Sequence, residues 1–153
     1  EFIIEDKCGL TTDAVGGGNL LLIGTDRAGL LETAEAAVAA IAEVPDVITP
    51  FPGGIVASGN KVGPKDRGAV ASTNDAFCPT LRGATRTALA EGTISVLEIV
   101  IDGLTSQAVA DAMRAGLGAA TDIGTAKGLT RISAGNYGGK LGQHHYHLKD
   151  FVA

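Results

Sequence analysis

The sequence has no tryptophan, one methionine and two cysteines, and aromatic residues make up 4% of its 153 positions. Two cysteines as far apart as Cys8 and Cys78 cannot form a disulfide scaffold and do not have metal-ligand spacing. They read as reduced thiols of a cytosolic, cytoplasmic protein, with a single disulfide as the open alternative. Basic residues are also few: 12 Lys and Arg stand against 17 Asp and Glu, a net charge of −5. No Lys/Arg cluster occurs, which argues against a nucleic-acid partner. No apolar run reaches 18 residues, so nothing in the sequence reads as a membrane-spanning helix. The start, Glu1-Phe2-Ile3-Ile4-Glu5, lacks the basic region and long apolar core of a secretory leader. It reads as a strand entered midway, without an initiator Met, and the expectation is that residues upstream of Glu1 are missing.

Glycine and patterned apolar residues are what the sequence does have. There are 22 glycines, well above the usual share of about 7%. They cluster as Gly16-Gly17-Gly18, Gly53-Gly54 and Gly138-Gly139, where tight reversals with positive φ or a close backbone approach are needed. Hydrophobic residues reach 45% and charged residues 19%, enough to bury one core, and the length favours one domain over residues 1–153.

The chain reads as two similar units. Asn19 to Gly59 gives an apolar strand, an Ala-rich helix, a short strand, a Gly-Gly turn and a strand, and Ser95 to Leu148 gives the same series. In the first unit, Asn19 to Gly24 is a continuous apolar strand and Asp26 caps a helix from about Gly29 to Val44. Leu30, Leu31, Ala34, Ala37, Val38 and Ile41 form that helix's apolar stripe, and Pro45 ends it. Val47 to Thr49 and Ile55 to Ala57 are short strands. In the second, Val96 to Ile101 is the strand, Thr105 or Ser106 caps a helix striped by Val109, Ala112, Met113 and Leu117, and Gly116 lets a neighbouring backbone come close. Arg131 to Ala134 and His144 to Leu148 are the remaining strands. Two strand–helix–strand units with helices on one sheet face predict an α+β sandwich of the ferredoxin-like kind. The sheet's other face is then left to water or, better, to a partner. The units are joined by Asn60 to Thr93, long for a loop and therefore expected to be functional.

Glu98 interrupts five aliphatic residues in its strand. A carboxylate there must be paired, must face solvent with Val96 and Val100, or must hold its proton and be able to donate it. His144, His145 and His147 resemble a metal cluster, with His145 and His147 on one strand face. Two ligands are half a site, so the expectation is no metal. Gly16-Gly17-Gly18 precedes a strand and opens no helix, which rejects a phosphate-binding loop. A Gly-x-Ser-x-Gly elbow is absent as well.

Four ordered strings are similar to those of one family. They are Thr49-Pro50-Phe51-Pro52-Gly53-Gly54-Ile55-Val56-Ala57-Ser58-Gly59-Asn60-Lys61-Val62-Gly63; Ala71-Ser72-Thr73-Asn74 with Phe77-Cys78-Pro79-Thr80-Leu81; Glu98-Ile99-Val100-Ile101-Asp102-Gly103-Leu104; and Ile132 to Gly142. Together, from about Gly17 to Phe151, the chain resembles the C-terminal half of formylmethanofuran:tetrahydromethanopterin formyltransferase. The resemblance implies a two-lobe enzyme of which this is the distal lobe, with the N-terminal lobe absent. It implies transfer of a formyl group between the amine of methanofuran and N5 of tetrahydromethanopterin, with these carriers as substrates and no metal or tightly bound cofactor. Its partners would be the N-terminal lobe and further copies of itself, or the other members of a formyltransferase/hydrolase complex in methylotrophic bacteria. Site residues also follow from the resemblance: Glu98 as catalytic acid, and Ser72, Thr73, Asn74, Asn136 and Lys140 as substrate contacts. Formyl transfer passes through a tetrahedral oxyanion and needs a proton for the departing amine. Glu98 and the backbone N–H groups of a Gly-rich turn are suited to these tasks. The isolated half is expected to be inactive. The alternatives are a non-catalytic module for assembly or ligand sensing and a complete enzyme of 153 residues.

Overall fold

A computed structural model describes residues 11–58, 74–135 and 143–152. The strand expected at Glu1 to Glu5, Cys8, the Asn60 to Thr73 stretch and the turn at Gly138-Gly139 lie outside these residues. The architecture is α+β, an antiparallel sheet with two helices. The elements are β1 (Val15–Gly24), α1 (Arg27–Ala42), β2 (Val47–Ile48), β3 (Val56–Ala57), β4 (Ser95–Gly103), α2 (Ser106–Gly124) and β5 (Leu129–Ala134). Strands run in the order β2-β4-β1-β5, and β3 also pairs with β4. Each pairing between these strands is antiparallel. It follows that β1 and β2 run parallel with β4 between them, and β4 and β5 run parallel with β1 between them. The two strand–helix–strand units therefore interlock.

Both helices begin where the sequence places a cap. The Asp26 carboxylate accepts from the Ala28 N–H at 3.0 Å, and the Thr105 hydroxyl accepts from the Ala108 N–H at 3.1 Å. Each bond satisfies one of the donors a helix start leaves without an internal partner. The first helix starts and stops about two residues earlier than its apolar stripe suggested, at Ala42 rather than Val44. It ends three residues before Pro45, because the chain must already be turning when it reaches Asp46, whose φ is +63°.

The core lies between sheet and helices. Leu20 and Leu22 of β1 and Ile99 and Ile101 of β4 meet Leu30, Ala34 and Ile41 of α1 and Val109, Ala112 and Met113 of α2. Gly116 sits where the helices approach each other: a Cβ there would stand 2.8 Å from the Ile41 side chain and 3.0 Å from that of Leu20. The glycine triplet at 16–18 is inside β1, not ahead of it. Gly17, with φ +102°, is the extra residue of a β-bulge, and pairing jumps from Gly16 opposite Asp102 to Gly18 opposite Ile101. The jump lets Val15 join the same buried core as Leu20 and Leu22.

Two expectations need correction. His144 to Leu148 is not a strand; 144–147 is irregular and a short turn follows at Leu148–Asp150. Tyr146 alone among residues 144–147 is buried, and its hydroxyl lies 3.1 Å from that of Ser106 at the start of α2. With the three histidines exposed, this stretch has no apolar face to hold a strand against the sheet. The sheet's second face is also not left wholly to water or a partner. The segment running from Asn74 to Leu89, with turns at Asp75–Phe77 and Pro79–Leu81, folds back over it, and Leu21, Ile23, Val96 and Leu89 form a second cluster against Phe77.

Candidate active site

Alternation along paired strands decides which side chains meet on the second face. Leu21 stands opposite Glu98, Asn19 opposite Val100, and Ile23 opposite Val96, so Asn19, Leu21, Ile23, Val96 and Glu98 share that face. Val56 of β3 stands opposite Glu98 from the other side. Glu98 is thus hemmed in by strands on both flanks and covered from above, and it is 8% exposed. Of the three possibilities open to it, solvent exposure is excluded and pairing is observed.

Two amides grip it. Asn19 Nδ2 donates to Oε1 at 2.5 Å, and Asn74 Nδ2 donates to Oε2 at 2.7 Å. Asn19 and Asn74 are themselves 8% and 7% exposed. Asn74 leads into the Asp75–Phe77 turn, whose Phe77 N–H bonds back to the Asn74 carbonyl at 2.8 Å. The turn fixes the Asn74 backbone, so its side chain can aim inward. A carboxylate gripped at both oxygens has a defined plane. Such a group presents its oxygens at a fixed place.

Nearby, the Arg131 guanidinium lies 5.8 Å from the centre of the Phe77 ring. A recess of about 490 Å³ opens between Ile23, Leu89, Thr93 and Arg131. Glu98 is not among its lining residues; the recess is at the other end of the covered face. The Ser58 hydroxyl, just beyond β3, is buried without a hydrogen-bond partner among the described residues. Cys78 is a buried free thiol whose sulfur lies 3.1 Å from the Thr80 hydroxyl.

Of the residues singled out in the sequence, the structure brings Glu98 and Asn74 together. Ser72, Thr73, Asn136 and Lys140 lie outside the described residues. His144, His145 and His147 are exposed, and among the described residues no three His, Cys, Asp or Glu side chains gather as a metal site would require. No described helix is long and apolar enough to cross a membrane. Asn19 was missed. Its signal was a polar residue beginning the apolar run Asn19 to Ile23, but nothing local ties it to a residue 79 positions away.

Comparison with known proteins matches residues 1–151 to the family model described as FTR, proximal lobe. The distal-lobe assignment made from the sequence strings is corrected accordingly. The chain is 57% identical over 152 residues to a component of the formyltransferase/hydrolase complex of Methylorubrum extorquens, covering 99% of this chain and 49% of that protein. It is 52% identical to a formylmethanofuran–tetrahydromethanopterin formyltransferase of Methylobacillus flagellatus, covering 100% of this chain and 50% of that one. Among solved structures, it superposes on the formyltransferase/hydrolase complex of Methylorubrum extorquens, crystallised with methylofuran, with a TM-score of 0.82 at 58% identity over 92% of this chain and 46% of the matched chain. The chain spans about half the length of the curated relatives it matches.

Proposed function

This chain belongs to the FTR family, and on that premise we propose that it is the proximal lobe of a two-lobe formyltransferase. The whole protein moves a formyl group between the amine of methanofuran and N5 of tetrahydromethanopterin, and Glu98 handles the proton. Support comes from the names of the relatives and from one observation: a carboxylate buried in the otherwise aliphatic run Val96 to Ile101 and held at both oxygens. Burying such a group has a cost that a module built only for assembly has no reason to bear. Buried carboxylates held in one orientation by specific partners are a common feature of sites where chemistry is done.

The incoming amine attacks the formamide carbon and gives a tetrahedral oxyanion, after which the first C–N bond breaks. The attacking nitrogen must lose a proton and the departing nitrogen must gain one. Glu98 delivers its proton to the departing amine, and as the carboxylate it takes up the proton lost by the attacking nitrogen, so that it ends the cycle protonated again. Ser72, Thr73, Asn136 and Lys140 contact the substrates, on the strength of the resemblance; Asn74, expected with them, is bonded to Glu98 and stands at the reacting end. No metal or bound cofactor takes part. The second lobe, further copies of the protein or the other members of a formyltransferase/hydrolase complex complete the site, in the cytoplasm, and the isolated lobe is inactive. The interlocked units, each a strand, a capped helix and a strand, support a ferredoxin-like origin by duplication.

The test is Glu98→Gln in the intact two-lobe protein. Gln keeps the shape, and the neighbouring asparagines can rotate their amides to present an oxygen where a donor is now met. Turnover should fall by about 10²-fold or more, the span of a general acid, with little change in KM because the proton moves in the transition state. Near-normal turnover would return Glu98 to a purely structural role.

A further inference from the structure

We infer that Asn19 and Asn74 are positioning residues that hold the Glu98 carboxyl in a single orientation; this rests on the proton-transferring role given to Glu98 above. The two side chains come from unrelated parts of the chain. Asn19 is on the central strand β1, diagonal to Glu98 across the β1–β4 pairing, a separation within reach of its amide. Asn74 enters from the segment laid over the sheet. Each donates to a different carboxylate oxygen. Two bonds on opposite oxygens fix its plane.

The choice of donor carries the inference further. Both are neutral. A guanidinium in either place would be left as a buried, unpaired cation whenever the carboxyl took up a proton, and such a charge is costly away from water. An amide leaves no charge behind, and by turning over it can offer either a donor or an acceptor. Holding by two amides is therefore compatible with a carboxyl that gains and loses a proton in each cycle. A structural explanation alone is weaker. The neighbouring cluster of Leu21, Ile23, Val96 and Leu89 shows that this face can be packed with apolar side chains, and replacing a buried polar group and its partners by apolar ones of like shape is often neutral or stabilising.

The experiment is a kinetic double-mutant cycle in the intact two-lobe protein, with Asn19→Ala and Asn74→Ala each made alone and on top of Glu98→Gln. Each asparagine variant alone should lower kcat roughly tenfold or more, the scale of a misplaced reacting group, with KM little changed. Added to Glu98→Gln, each should cost less than about twofold, because there is no longer a proton-transferring carboxyl to position. Asn74→Gln, which keeps the donor, should recover part of the loss; it also serves if Asn74→Ala does not fold. Equal losses in both backgrounds, or a rise in KM with kcat intact, would overturn positioning in favour of general packing or substrate contact. If Glu98→Gln is crippled while both asparagine variants are normal, positioning alone fails. If Glu98→Gln is itself normal, the role of Glu98 fails first.

Discussion

One residue's difference in phase along β1 and β4 separates two kinds of environment. Toward the helices, Leu20, Leu22, Ile99 and Ile101 lie in a continuous apolar core. Toward the covering segment, the adjacent residues Asn19, Leu21, Val96 and Glu98 form a smaller apolar cluster beside a buried polar triad. The helix side is covered by elements that satisfy their own backbone bonds and bring long apolar stripes. The other side is covered by an irregular segment with two short turns, which brings Phe77, Leu89 and Asn74. Apolar packing and buried polar groups are thus divided between the faces of one sheet. The helix face can be packed for strength because the other face is where polar groups must be kept.

The largest expected effect lies on the helix face. Ile99→Ala should cost about 2–5 kcal/mol, since its site is fully buried between strands and helices and can close only in part; equilibrium urea unfolding measures this. Turnover per folded molecule should stay close to normal, and a large fall would show that the two faces are not independent. Leu21→Ala is the matching change on the second face. It should cost less, about 2–3 kcal/mol at the lower end of the same range, because an irregular cover can settle into the space. Here turnover should fall too, as Leu21 stands directly opposite Glu98. Equal stability losses for the two variants would erase the distinction drawn between the covers.

The smallest effect is expected away from both faces. Lys127 pairs with Glu32 on the surface at 2.5 Å. That hydrogen-bonded carboxylate, and then its charge, raises the Lys127 ammonium above its ordinary value of 10.5. A raised folded-state value means that the pair's contribution is fully present at neutral pH and is lost as pH climbs through the alkaline range above 10.5. Being solvent-exposed and screened, it should be barely visible: Lys127→Met should move Tm by no more than a slight amount at pH 7, and any difference from the parent should vanish at strongly alkaline pH. A clear Tm loss at pH 7 would mean that the surface contributes more than the comparison of the faces allows.

Much of the framework was legible in the residues. The apolar runs at Leu20 to Ile23 and Val96 to Ile101 and the caps Asp26 and Thr105 are local signals, and each reappears in the structure; the space at Gly116 is taken by the side chains of Ile41 and Leu20 and not by a neighbouring backbone. Glu98 was visible because a charge in an aliphatic strand has few explanations. Its environment was not visible. Asn19 and Asn74 reach it across 79 and 24 residues, and no period in the sequence records such a meeting. The covering role of Asn74 to Leu89 was hidden for the same reason: a few spaced apolar residues do not say which surface they will find. At the other end, His144 to Leu148 looked like a strand by position in the repeat, yet a single buried tyrosine cannot supply an alternating face.

The segment from Asn74 to Leu89 both closes the second face and supplies one of the two amides that grip Glu98. Among the described residues no backbone hydrogen bond joins it to the sheet or helices, so it can lift away while they stay folded. Warming such a protein should silence it before it melts: thermal inactivation would run ahead of the loss of helical signal, and cooling would restore activity without refolding the molecule.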